Sequence, residues 1–454
     1  MQLTAGIRRG RSLWILLACL AGTHSSLCAQ AFDVGSRLQL FVDSVLIDRL
    51  DGIELRLHYP ILAAPSSNPP SAGHYATVIK DGDTYRLYNR GGGKAAYDGD
   101  PVEHTEYFES SNGIDWTRPN LGLYEINGSK DNNVVLAHDP PFSNNFSPFL
   151  DSRVDVPAEE RYKALAGIRE SGLVAFVSPD GIHWSRLRDE PVFTEGMFDS
   201  QNVSFWSEAE NKYVCYFRTW TGEGYTGLRT ISRTTSPDFI HWSDPVYLQP
   251  NEPGEHLYTN GTHPYFRAPQ IYVSLPTRFH PDRGNATDIL LMTSRRGGSF
   301  DRTFKEAFIR PGPGLARWGN RANYAALNVV PTDTAEMSIY VRGRRYTLRT
   351  DGFVSLHAGF EEGEVVTVPL LFDGSRLEMN ASTSAGGHVL VDMLSESGDL
   401  IAGYEASMDD RIVGDGIALP VVWDGNGDVE PLAGVPVRLR FRMREADIYS
   451  IRFQ

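Results

Sequence analysis

Cysteine is scarce in this chain of 454 residues, with three in all. Cys19 and Cys28 fall in an N-terminal segment that reads as an export signal. Cys215 then stands alone, so the mature chain is expected to carry no intrachain disulfide. Positive charge is also in short supply: 43 Lys and Arg stand against 57 Asp and Glu, a net charge of −14. That balance excludes the broad basic face a nucleic-acid partner would require. Past the N-terminal segment no apolar run is long enough to span a membrane. No His/Cys/Asp spacing reads as a zinc site, so no metal site is expected. Gly91-Gly92-Gly93-Lys94 lacks the spacing and the following helix of a phosphate loop, and Gly-x-Ser-x-Gly does not occur. No cofactor is expected; a structural Ca²⁺ would be compatible with the fold, and nothing in the sequence indicates one.

What is present is an ordinary globular composition, 41% hydrophobic and 22% charged, with 43 Gly and 27 Pro. That many turn formers points to short strands rather than long helices. Arg8, Arg9 and Arg11 precede the apolar run Leu13–Ala21, and Ala29-Gln30-Ala31 supplies small residues at a cleavage site. Residues 1–31 are therefore expected to be a signal peptide, and the protein to be exported, periplasmic or extracellular. Cys215 sits in the apolar strand Tyr213-Val214-Cys215-Tyr216-Phe217 and is expected to be a small core residue.

One pattern recurs five times. Ser110-Ser111-Asn112-Gly113-Ile114-Asp115-Trp116 returns as Ser178-Pro179-Asp180-Gly181-Ile182-His183-Trp184 and as Ser236-Pro237-Asp238-Phe239-Ile240-His241-Trp242. Degenerate copies begin at Ser294 and Thr350, and the copies lie about 56 to 68 residues apart. Each couples a strand end to a tight Asn/Asp-Gly turn and an aromatic residue that opens the returning strand. A short strand with a tyrosine precedes each copy: Tyr85, Tyr162, Tyr213, Tyr272 and Tyr340. Such a unit is one propeller blade. The expected fold is all-β: a five-bladed β-propeller over residues 32–360, followed by a C-terminal β-sandwich over 361–454. Phe41–Ile47 is expected to be an edge or closing strand.

The innermost strand of each blade should lie just ahead of its tyrosine. Polar residues there are His74, Asp151, Asp199, Glu255 and Asn323. Asp151, Asp199 and Glu255, from three successive units, are the catalytic candidates. Glycoside hydrolysis needs one carboxylic acid for the leaving oxygen and a second carboxylate for water or carbon, and a third can hold the acid's pKa up. Asp43 is the alternative first carboxylate, set aside for its distance from Tyr85. His74, Gln201, Asn202, Tyr258, Asn260 and Asn323 offer hydrogen bonds to a sugar. Arg267, Arg278 and Arg321 could take an anionic group on it.

Phe41-Val42-Asp43, Arg161-Tyr162-Lys163-Ala164-Leu165 and Phe198-Asp199-Ser200-Gln201-Asn202, with the five units and the trailing sandwich, resemble the five-bladed β-propeller sugar enzymes. This is the superfamily of glycoside hydrolase families 32 and 43. The resemblance covers nearly the whole mature chain and implies an exported glycosidase acting on an oligo- or polysaccharide. The family 32 motifs Trp-x-Asn-Asp-Pro-Asn-Gly, Arg-Asp-Pro and Glu-Cys are absent. The acids here fall on the second, third and fourth units, where families 32 and 43 use the first three. Two further readings stand beside hydrolysis: a glycoside phosphorylase using one acid, with phosphate held by arginine and histidine, and a carbohydrate-binding propeller without catalysis.

Overall fold

The computed structural model describes residues 31–66, 68, 75–91, 100–143 and 145–454. The expected signal peptide, apart from Ala31, and His74 lie outside them. The fold is a five-bladed β-propeller joined to a β-sandwich. Blade 1 is Thr77–Asp81, Thr84–Gly91, His104–Ser110 and Val134–Ala137; blade 2 is Ser147–Leu150, Tyr162–Ile168, Gly172–Ser178 and Ser185–Arg186; blade 3 is Val203–Ser207, Lys212–Trp220, Arg229–Ser236 and Val246–Tyr247. Blade 4 is Thr262–Tyr265, Ala268–Ser274 and Met292–Arg295, with a small second sheet of His256–Leu257, Thr277–His280 and Ala286–Ile289. Blade 5 is Val330–Pro331, Glu336–Val341 and Arg344–Arg349, completed by Ile61–Leu62 from ahead of blade 1. That borrowed outer strand ties the two ends of the ring together and leaves no open seam.

The recurrent motif follows the third strand of every blade. Ser178 Oγ accepts from the Gly181 amide at 2.9 Å, and Asp180 Oδ1 accepts from the Ile182 and His183 amides at 2.9 Å each. Ser110 with Asn112, and Ser236 with Asp238, repeat the arrangement. The fourth position has positive φ in all three copies: Gly113 at 70°, Gly181 at 77° and Phe239 at 69°. Tyr340 and Tyr88 donate to the carbonyls of Gly113 and Gly181, so each turn is anchored by a neighbouring blade.

The recurrent tyrosines build the other half of the blade interfaces. An acid follows the first strand of blades 1, 2 and 3: Asp81, Asp151 and Glu210. Each takes a phenol from the next blade, namely Tyr162, Tyr213 at 2.6 Å and Tyr272 at 2.8 Å. Each also faces a cation of its own blade: Arg86 at 3.6 Å, Lys163 at 2.9 Å and Arg233 at 2.7 Å.

Two expectations about boundaries are corrected. The segment 32–57, placed with the propeller from the sequence, belongs to the sandwich sheet. Phe32–Gly35 pairs with Leu370–Phe372, Ile47–Asp51 with Gly363–Thr367, and Ile53–Leu57 with Val354–Ala358. Phe41–Ile47 therefore closes no blade, and Phe41 packs on Phe441 in the sandwich core. These pairings join residues some 300 apart, which local patterning does not reveal. Asp43 is buried and bound by Arg295 of blade 4 at 2.7 Å, a clasp between the two domains.

Between blades 4 and 5 the inner strands meet through His263. Val329 N–H donates to its Nε2 at 3.1 Å, so the proton sits on Nδ1 and is donated to the Gly261 carbonyl at 3.0 Å. Burial pushes this imidazole down to about 4, and the Gly261 bond only partly opposes it. Between the ordinary value near 6.5 and pH 4, the unfolded chain binds a proton that the folded chain refuses. Stability is then complete above pH 6.5 and falls by about 3 kcal/mol as pH drops to 4. Urea unfolding between pH 7.5 and 4.5 should show this slope, and His263→Gln should flatten it.

Candidate functional site

The propeller has two unlike ends. At one, the chain enters the first strands through Tyr75, Asp199, Tyr258 and Tyr324. At the other lie the acids that latch blade to blade. Gln201 plugs the space between them. Its Nε2 reaches the carbonyls of Tyr75 and Ala76 at 3.3 and 3.2 Å and Thr77 Oγ1 at 3.2 Å, from blade 3 to blade 1. We term this entry end the mouth.

Aromatic rings wall it. Tyr75 meets Tyr324 at 5.9 Å between centroids, Tyr324 meets Tyr258 at 5.7 Å, and Tyr258 meets Phe279 at 5.4 Å. The four side chains are only 3 to 8% exposed, so they pack mainly on one another. Beside them Asp199 forms an ion pair with Arg218. The Asp199 side chain is 26% exposed, whereas Arg218 is 5% exposed. Arg218 is fully engaged: Nε donates to Asp199 Oδ1 at 3.1 Å, Nη2 to the Asp199 carbonyl at 3.0 Å and Nη1 to the Tyr258 carbonyl at 3.2 Å. Burial opposes its charge, but Asp199 and the phenols of Tyr75 and Tyr258 outweigh burial and hold the guanidinium above its ordinary value.

Tyr258 is the mouth's central side chain. Arg321 Nη1 donates to its hydroxyl at 3.1 Å, and the guanidinium carbons of Arg218, Arg229 and Arg321 lie 4.7, 5.2 and 5.9 Å from its ring centre. Burial would raise this phenol, yet Arg218 and Arg321 pull it below its ordinary value. At Tyr324 burial, with Tyr75 and Tyr258 beside it, outweighs the same two arginines and raises the phenol well above its ordinary value.

The three catalytic candidates do not converge. Asp199 is at the mouth. Asp151 follows its strand rather than preceding it, so it lies at the opposite end, wholly buried between Lys163 and Tyr213. Glu255 is held by Arg302 at 2.8 Å with Arg278 at 4.0 Å, in the second sheet of blade 4. The binding candidates divide in the same way. Tyr258 and Arg321 face the mouth. Gln201 is the plug, and Asn202 and Asn260 are buried backbone ties, to the Phe198 carbonyl and to the Gln201 and Tyr216 carbonyls. Asn323 donates to the Thr287 and Arg317 carbonyls. Arg278 is bidentate to Asp288 at 2.9 and 2.8 Å. Arg267 binds Asp351, a buried hub that also takes Tyr265, Asn380 and Ser450.

Sequence reasoning missed Tyr75, Arg218, Arg229 and Tyr324. The signal for two of them was available: Arg218 and Arg229 stand on either side of the hairpin after the blade 3 tyrosine, and Trp220 pairs with Arg229 across it. Concavities of about 560 Å³ on the sandwich and about 590 Å³ beside blade 1 have no Phe, Tyr or Trp in their walls. Neither offers a sugar a stacking face.

No protein-family model and no curated protein matches the chain. Solved structures with a similar chain path include a glycoside hydrolase family 43 arabinoxylan arabinofuranohydrolase from Bacillus subtilis. It is 13% identical over 84% of this chain and 96% of that one, with a TM-score of 0.41. A thermostable family-43 glycoside hydrolase is 15% identical over 65% and 96%, at 0.43. A beta-1,2-mannobiose phosphorylase from Listeria innocua is 10% identical over 65% and 97%, at 0.42. These are likenesses of fold.

Asp151 is a strut, and its substitution should tell in stability. Asp151→Asn removes the carboxylate from Lys163, which keeps Glu160 as a partner at 3.1 Å. The expected loss is about 2–3 kcal/mol in urea unfolding, with ligand binding at the mouth unchanged in the folded fraction.

Proposed function

We propose that this protein is a carbohydrate-active propeller enzyme, exported from the cell, that cleaves a glycosidic bond at the mouth. The observation that carries the reading is the partly exposed Asp199 carboxylate set among the rings of Tyr75, Tyr258 and Tyr324. Cleavage needs one group to give a proton to the leaving oxygen and another to drive attack at the anomeric carbon. Asp151 and Glu255 are committed to struts, so paired carboxylates are not the arrangement proposed. Asp199 and Tyr258 divide the two tasks. Both touch Arg218, which fixes them relative to one another. The phenol, loosened by Arg218 and Arg321, is the proton donor. Asp199 is the carboxylate facing the sugar.

A second reading, phosphorolysis, is favoured by one observation: the mouth holds more cations than acids. Phosphate would then be the attacking group, and a single acid would suffice.

The test is sugar release from a panel of plant and algal glycans, with and without phosphate. Asp199→Asn and Tyr258→Phe should each lower the rate about 100-fold or more while their thermal melts stay cooperative. Equal release by wild type and both variants would remove the mouth from catalysis. Glycan binding without release by the wild type would make the protein a binding module.

A further inference from the structure

The charges at the mouth do not balance. Arg218 is neutralised by Asp199. Among the described residues, Arg229 and Arg321 have no carboxylate within 4.0 Å. Several other half-buried arginines of the propeller have carboxylate partners, Arg233 with Glu210, Arg278 with Asp288, Arg295 with Asp43 and Arg302 with Glu255, although among the described residues Arg344 of blade 5 does not. The exception at Arg229 is built in rather than a loose surface charge. Its guanidinium carbon lies 4.3 Å from the ring centre of Trp220, 5.0 Å from Phe279 and 5.2 Å from Tyr258. Its Nε is buried without a hydrogen-bond partner. Its backbone N–H donates to His256 Nδ1 at 3.2 Å, which fixes the strand end. Burial lowers the affinity of this guanidinium for its proton and Arg218 lowers it further, while Tyr258 and Asp199 oppose them only in part. The aromatic faces offset part of that cost, and only a counter-charge would remove it.

Arg321 is held by its backbone. Asn320 and Arg321 both have positive φ, 49° and 56°, a conformation side chains adopt reluctantly. Their amides are fastened to the carbonyls of Gly284 at 3.0 Å and Asn285 at 2.8 Å. The constraint brings the Arg321 guanidinium onto the Tyr258 hydroxyl.

We propose that the mouth contains an oxyanion subsite in which Arg229 and Arg321, flanking Tyr258, receive a phosphate, sulfate or carboxylate group beside Asp199. This deepens the reading of the mouth as the sugar site and rests on it. The anion comes either as free inorganic phosphate or as a charged substituent on the sugar. In the first case a phosphate oxygen bonds to the anomeric carbon, the glycosidic C–O bond breaks, and the departing oxygen takes the Tyr258 proton. The products are a sugar 1-phosphate and a shortened glycan.

Binding can be read without turnover. Isothermal titration calorimetry of the full mature chain with sodium phosphate, sodium sulfate and sodium glucuronate should show saturable binding of at least one anion, weakening as NaCl rises. Arg229→Gln and Arg321→Gln should each weaken it about tenfold or more. Arg283→Gln, at an exposed position, should not. Arg229→Lys keeps the charge and should retain part of the affinity if Arg229→Gln folds poorly. Phosphate-dependent formation of sugar 1-phosphate assigns the anion to free phosphate. Tighter binding of a uronate- or sulfate-bearing oligosaccharide than of its neutral counterpart assigns it to the substrate. No saturable binding of any of the three anions, or equal binding by wild type and both Gln variants, overturns the subsite. Anion binding without any glycan cleavage leaves the subsite standing and defeats the glycosidase reading. Cleavage with no anion binding does the reverse.

Discussion

The ring depends on one largely buried contact repeated at three of its five blade interfaces: an acid at the end of a blade's first strand, a cation from the same blade, and a tyrosine hydroxyl from the next. Asp81, Asp151 and Glu210 are those acids. A carboxylate out of water is costly unless charge and hydrogen bonds replace its hydration. Here the cation supplies the charge, and the phenol supplies a directional bond only when the next sheet has the right rotation and height. The contact therefore specifies how blades stack as well as holding them together. The hydrophobic faces between sheets supply most of the cohesion, but they would tolerate sliding that this contact does not.

That device accounts for the phenols as well. Burial and the acid beside each of them push the Tyr162, Tyr213 and Tyr272 hydroxyls up, so they remain donors across any physiological pH. Tyr258, the same residue type at the opposite end of the ring, goes the other way because arginines rather than carboxylates surround it. One fold thus makes tyrosine a fixed hydrogen-bond donor at the closed end and a labile acid at the mouth. Burial raises all of these phenols; at Tyr258 the flanking arginines outweigh it, and at the closed end the carboxylates add to it.

Much of this was legible in the sequence. Ser-x-Asn/Asp-Gly with its trailing Trp fixed the number of blades, because a turn requiring positive φ has few residue solutions and recurs at blade spacing. The tyrosine ahead of each copy marked the second strand. The catalytic trio failed for a definite reason. Distance along the chain to the tyrosine does not distinguish a residue before the inner strand from one after it. Blade 2 has a long connection between Leu150 and Tyr162, with a short 3-10 turn, and this gave Asp151 the offset that Asp199 has by preceding its strand. Glu255 failed because blade 4 splits into two sheets, and its acid precedes the second one, where Arg302 and Arg278 hold it. The N-terminal strands were misplaced because their partners lie beyond the propeller, where hydrophobic alternation says that a strand exists but not what it pairs with.

The charge pattern at the mouth has a consequence for selectivity. A chain of net charge −14 repels anions at long range. At physiological ionic strength that repulsion fades over a Debye length of about 8 Å. At the entry end, Trp220, Phe279 and Tyr258 lie around Arg229 and lower the local polarity. On the proposed reading, the protein does not gather anions from afar but discriminates among molecules already at the mouth. A neutral sugar would enter and leave the two guanidinium groups unanswered, whereas a ligand with an oxyanion at the right distance from its ring would answer them. On that reading the aromatic side chains would choose the sugar, and the arginines what it carries or what accompanies it.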